Sequence, residues 1–216
     1  MRCSEGKIIV GRSQMSFHAV PSSLVAAEAE RSRIREILFR RVLFPAYCGL
    51  TSWKRADVTF QAEGKKVLQL ARMLPGDLLS SGVRVEPSWW GIDNSSCCWS
   101  AEMVLERLIA AGAMYAEIML DLSRGEKPSY RSVTATHLPE GGKGIRVLDD
   151  FEQILDDYTG ALAEGVGDRR SKLTHPHAWF GDLTVCQWHC LATLHQAFHR
   201  RHMERIVSRC RLPSTA

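Results

Sequence analysis

Apolar residues recur at intervals of three and four in one segment of this chain after another, and hardly anywhere at intervals of two. That periodicity belongs to helices with one buried face, so strand-rich folds are excluded at the outset. Ile34, Ile37, Leu38 and Val42 follow it among alternating Arg and Glu, which predicts an amphipathic helix from Ser23 to Phe44, ended by Pro45. A second is expected from Asp57 to Met73, with Phe60, Val67, Leu70 and Ala71 on one side, Gly64 as an internal breaker and Pro75-Gly76 as its stop. Ser100 is a good N-cap, Glu102 suits the positive end of a helix dipole and Trp99 can pack on Val104. A third helix should start there and reach Leu122. Phe151, Ile154, Leu155, Tyr158 and Leu162 define the next, opposite Asp150, Asp156 and Asp157 and closed by Gly165. Thr184 and Gln187 have capping-box spacing and open a last helix that runs to about Arg209.

Four helices from Asp57 onward, alternating with loops, predict an all-α fold: an up-and-down four-helix bundle over residues 51–216, preceded by an extension over residues 1–50 that is partly helical or disordered. The segment from Ser123 to Arg146, with Gly141, Gly142 and Gly144, reads as a crossover. Ser80 to Cys98 reads as an irregular connection whose Trp89 and Trp90 cap the bundle or line a ligand entrance. The chain of 216 residues, 45% hydrophobic and 24% charged, supplies one core. No stretch approaches the roughly 20 apolar residues that a bilayer requires, so no membrane partner is expected. A net charge of +4 does not call for nucleic acid. Arg200, Arg201, Arg205 and Arg209 read as the wet side of the last helix. Seven cysteines, an odd number without repeated CxxC spacing, point to reduced thiols and a cytoplasmic location. Cys186 and Cys190 read as packed thiols.

Six of the eight histidines lie between residues 175 and 202. His195, His199 and His202 follow i, i+4, i+7 and share one side of the last helix with Trp188, Leu191, Phe198 and Ile206. Their rings are expected to face the interior. Two imidazoles one turn apart, about 6 Å along the axis, can grip one ion, and His195 and His199 are the natural pair. His202 lies about 10 Å from His195 along the axis and is expected to serve as a separate substrate-binding or supporting group. The plainer alternative for any HxxxH is local hydrogen bonding. Gln196 stands where zinc peptidases carry a general-base Glu, so HExxH proteolysis is excluded.

The run His175-Pro176, Trp179-Phe180-Gly181, Leu183-Thr184, Gln187-Trp188 and His195-x3-His199 resembles the last helix of DinB/YfiT-like proteins. Trp99-Ser100 followed by Leu105 and Leu108 is similar to the start of that superfamily's second helix, and Gly91 to Ser96 is similar to a pattern in some members. The resemblance covers Asp57 to Cys210. It implies a divalent metal, nickel or zinc, held by one histidine on the second helix and two on the fourth. It also implies transferase or isomerase chemistry on thiols such as bacillithiol or mycothiol. His195 and His199 match the two fourth-helix ligands. The remaining position, eight residues after Trp99, is Arg107, whose guanidinium stays protonated and opposes a divalent cation. Glu106, turned about 100° around the helix, is one substitute; Cys97, Cys98 or His18 are others. Two functions follow as expectations. One is a thiol-dependent transferase with a degenerate metal site on His195 and His199. The other is a non-catalytic bundle that binds an anionic small molecule through Arg107, His202 and the histidine pair, or that acts through homodimerisation.

Overall fold

The computed structural model describes residues 30, 31, 33–85, 98–129 and 139–211. The chain divides into two compact units, Met1–Glu36 and Ile37–Ala216. In the first, residues 30, 31 and 33–36 are helical. The second opens with a π-helical turn, Phe39–Leu43, that runs directly into α1, Phe44–Leu50. The helix therefore does not stop at Pro45. A wide turn, in which the Phe44 N–H reaches back five residues to the Phe39 carbonyl, relieves the clash a proline ring makes with the carbonyl four residues earlier.

Four long helices follow: α2 (Trp53–Arg72), α4 (Ala101–Arg124), α5 (Arg146–Gly165) and α6 (Val185–Arg211), with a single turn, α3 (Gly76–Leu79), after the first. Their ends carry the expected chemistry. Ser52 and Ser100 accept from the N–H groups of Arg55 and Met103, and Gly125 closes α4 in the left-handed conformation that glycine alone adopts freely. At α6 the Gln187 side chain accepts from the Thr184 N–H at 2.9 Å, one half of a capping box. A two-stranded antiparallel hairpin, β1 (His175–His177) and β2 (Gly181–Leu183), precedes α6 with His177 opposite Gly181.

The all-α four-helix bundle is as expected, but its order is not simple alternation. Helix α6 packs on α2 and α4, and α5 packs on the same two, so helices consecutive in the chain lie on diagonals except α4 and α5. Asp57 meets His189 and Glu63 meets Arg200, which makes α2 and α6 parallel. Gln61 bonds to Thr159 and Arg72 to Glu152, which makes α2 and α5 antiparallel. Trp99 lies by His202 and Tyr115 by Trp188, so α4 opposes α6. The directions run up, down, down, up. The connection from Gly125 to Ile145 is long enough for this, because any chain of about 20 residues can reach up to roughly 65 Å, twice the length of a 20-residue helix.

Two carboxylates of α4 hold the end of that crossover. Glu102, buried, accepts from the Gly144 N–H at 2.7 Å, and Glu106 accepts from the N–H groups of Glu140 and Gly141 at 3.1 and 2.9 Å. Burial raises the Glu102 pKa, but hydrogen bonds from Ser80 and the amides of Gly144, Gly142 and Lys143 reverse this and hold it below the usual value. The core lies between the four helices and includes Phe60, Leu105, Ile118, Phe151, Leu155 and Trp188. Gly64 is no defect in α2: a Cβ there would overlap the Leu155 side chain, so its absence lets α2 and α5 approach closely. No helix among the described residues is long and apolar enough to cross a membrane.

Candidate functional site

The antiparallel packing of α4 on α6 brings residue 107 opposite the histidine stripe. Along that stripe the rings are in contact: the Nε2 atoms of His195 and His199 lie 3.1 Å apart with the rings perpendicular, and the His199 and His202 ring centroids are 6.1 Å apart. Trp99 covers the row, its ring centroid 6.1 Å from those of both His199 and His202 and its plane almost parallel to the former. The edge of Tyr115 meets His195 at 5.5 Å. His202 is fully buried, His199 nearly so, and His195 partly covered.

All these imidazoles are neutral. Burial first, then the Arg107 charge and His177, lowers the His195 pKa to about 3. Burial, His195, His202 and Arg107 hold His199 well below its ordinary range. The guanidinium is thus near enough to act on both members of the pair. His202 is lowered to about 4 by burial and then by Arg205. Neither of its nitrogens has a hydrogen-bond partner, nor does Nδ1 of His199. One proton is shared between the facing Nε2 atoms of His195 and His199, because two bare lone pairs at 3.1 Å would repel.

A fourth histidine joins the group, one to which the sequence reading assigned no role. His177 Nδ1 accepts from the backbone N–H groups of Trp179 and Phe180 at 3.1 and 3.2 Å, so its proton must sit on Nε2. Burial, then Arg107 and Arg40, lowers this ring to about 4, and its presence depresses His195 in turn. His177 is therefore a fixed, neutral donor beside Arg107 and His195. The available signal was the turn Trp179-Phe180-Gly181: Gly181, with φ of 78°, folds β2 back on β1, and the His177 ring meets Trp188 of α6 at 5.6 Å.

Two of the three ligands of a histidine metal centre are in suitable places. A separation of 3.1 Å suits neighbouring nitrogens on one ion at bond lengths of about 2.0–2.1 Å. Among the described residues a third ligand is not supplied. Glu106 gives one carboxylate oxygen to two backbone amides of the crossover, His177 carries a proton on the nitrogen facing the site, and Arg107 is a cation. Among the described residues no group of three His, Cys, Asp or Glu side chains is arranged to hold a metal ion. Cys98 is exposed, while Cys97, His18, Trp89, Trp90 and Gly91 to Ser96 lie outside the described residues.

His189 and Arg200 of α6 belong elsewhere. His189 is buried on the α2–α5 side, where Nδ1 lies 2.8 Å from the Tyr158 hydroxyl and the ring stacks on Trp53 at 4.3 Å. Its Nε2 is 3.0 Å from Asp57 Oδ1, but the N–H does not point along that line, which makes this an electrostatic contact and not a hydrogen bond. Arg200 is held between Glu63 and Glu204.

No protein-family model matches this chain, and no curated protein matches it either. Among solved structures it is similar to TT2238, described as a four-helix bundle protein, with 23% sequence identity over 71% of this chain and 98% of that one, at a TM-score of 0.46.

Proposed function

We propose that this four-helix bundle is a receptor for a small anion, a carboxylate or phosphate, held between α4, α6 and the hairpin. The observation that carries the reading is the pairing of the Arg107 charge with the fixed Nε2–H of His177 beside His195. Arg107 supplies the charge and a planar fork of donors, and His177 supplies a neutral N–H whose ring lone pair is already used by the Trp179 and Phe180 amides; the His195–His199 pair, its shared proton engaged between the rings, forms an uncharged wall. His202 lines the far end of the stripe. Partial burial strengthens each contact by keeping water out.

A second reading, a metal-dependent transferase acting on a bacillithiol- or mycothiol-like thiol, draws on the 3.1 Å spacing of the two Nε2 atoms. A bound divalent ion would there favour the thiolate. It needs a third ligand from the substrate and must tolerate Arg107, which is why it ranks second.

Calorimetric titration with inorganic phosphate and with acetate, beside metal analysis after incubation with nickel or zinc, separates the two. The anion reading predicts saturable binding that weakens roughly 30- to 150-fold in Arg107→Ala, the loss of one charge-assisted contact of about 2–3 kcal/mol. Stoichiometric metal in the native protein, with anion binding unaffected by Arg107→Ala, would transfer the conclusion to the metal reading. Arg107→His is expected to raise metal uptake, since it restores a third imidazole opposite the pair.

A further inference from the structure

The segment from Ile37 to Leu50, the π-helical turn and α1 together, has two unlike faces. Its inner face is fixed on the hairpin and α6: the Phe44 ring lies 4.3 Å from Phe180, Phe39 lies 5.8 Å from Trp179 and 6.2 Å from Phe198, and the Tyr47 hydroxyl is 2.7 Å from Thr193 Oγ1. The outer face is apolar and open. Of the nine large hydrophobic side chains exposed among the described residues, five lie here: Ile37, Leu38, Val42, Leu43 and Leu50, the last 80% exposed. Leu38, Val42, Ala46 and Leu50 recur at every fourth position, a spacing that drifts around a regular α-helix of 3.6 residues per turn. The wide turn at Phe39–Leu43 offsets part of that drift and keeps the four nearer one line. Residues 37–56 also hold four basic residues, Arg40, Arg41, Lys54 and Arg55, and no acidic one. Their local net charge of +4 equals that of the whole chain, and Arg41, Lys54 and Arg55 are exposed.

We propose that this outer face docks on the surface of an anionic lipid bilayer, with the segment lying in the headgroup plane. Its two features select that partner together. Exposed aliphatic side chains gain by leaving water for the boundary between headgroups and acyl chains, and the cations beside them gain from the negative headgroups. The roughly 20 apolar residues needed to cross a bilayer are not needed to lie on one. A second copy of the chain fits the face less well. A two-fold dimer through it would bring two segments of net charge +4 together with no acid of either to offset them. The exposed acids of α5, among them Asp149, Asp150, Glu152 and Asp156, would answer the charge of a second copy but offer no apolar counterpart to Leu38, Val42 and Leu50.

The full-length protein is sedimented with vesicles of phosphatidylcholine alone and with vesicles of equal parts phosphatidylcholine and phosphatidylglycerol. The expected result is partition into the anionic vesicles that falls as salt is raised and that weakens roughly 10-fold in Val42→Asp and in Leu50→Asp, each the loss of one apolar side chain from the lipid boundary. Arg41→Gln should weaken it about 5-fold, the effect of one basic side chain near a negative surface. All three side chains are exposed, so the variants are expected to keep the native helical signal and unfolding midpoint. Sedimentation with neither vesicle, equal partition into both, or binding indifferent to the three substitutions would overturn the proposal. A native dimer that Val42→Asp and Leu50→Asp dissociate, without vesicle binding, would overturn it too and assign the face to a second copy.

Discussion

Burial decides what each histidine of α6 can do. His189, fixed by the Tyr158 hydroxyl and stacked on Trp53, is a packing group at the α2–α5 side, and a test of its independence from the pocket is direct. Tyr158→Phe should cost about 1–3 kcal/mol in denaturant unfolding, because a buried ring nitrogen loses its partner, and should leave phosphate affinity unchanged. Its stability loss arriving together with lost anion binding would mean that the two sides of α6 are coupled. His202 is a different case, buried with neither nitrogen bonded, and such a ring resists protonation strongly. The pairing of His195 with His199 was legible in the sequence from spacing alone. The contribution of His177 was not, since its role depends on two backbone amides of a turn that fix its tautomer.

At the level of elements, local signals predicted what local physics controls. The caps at Ser100 and Thr184 follow from side chains adjacent in sequence. Pro45 misled because a π-turn accommodates it, and no residue pattern announces that turn. The hairpin was missed because three-residue strands are too short to show alternation. The parallel α4–α5 pair was also illegible, for helix periodicity reports which face is buried and says nothing about direction. Gly64 is the element-scale test. Gly64→Val should destabilise by roughly 2–3 kcal/mol because the branched side chain meets Leu155, whereas Gly64→Ala should cost less, its better helix propensity offsetting part of the overlap. Equal, small effects in thermal unfolding of the two variants would contradict a close α2–α5 contact.

For the whole molecule, the neutral histidines make stability depend on acidity. The folded pKa values of His177 and His202 are about 4 and that of His195 about 3, all below the ordinary 6.5. Between these limits the unfolded chain binds more protons than the folded one, so stability is complete above pH 6.5 and is lost as pH falls toward 4. By pH 5 the fully buried His202 alone should contribute a loss of about 2 kcal/mol. Urea unfolding at pH 7.5, 6 and 5 checks the sign; a flat profile would mean that these rings are solvated.

The central claim is that Arg107, His177, His195 and His199 converge on one anion site. It is tested most directly by following the side-chain nitrogens of the histidines by NMR while inorganic phosphate is added at neutral pH. The prediction is a neutral His177 with its proton on Nε2, and resonances of His177, His195 and His199 that shift together in the native protein, stay still in Arg107→Ala, and leave His189 unmoved in both. A His177 proton found on Nδ1, or three rings indifferent to phosphate in the native protein, would contradict it.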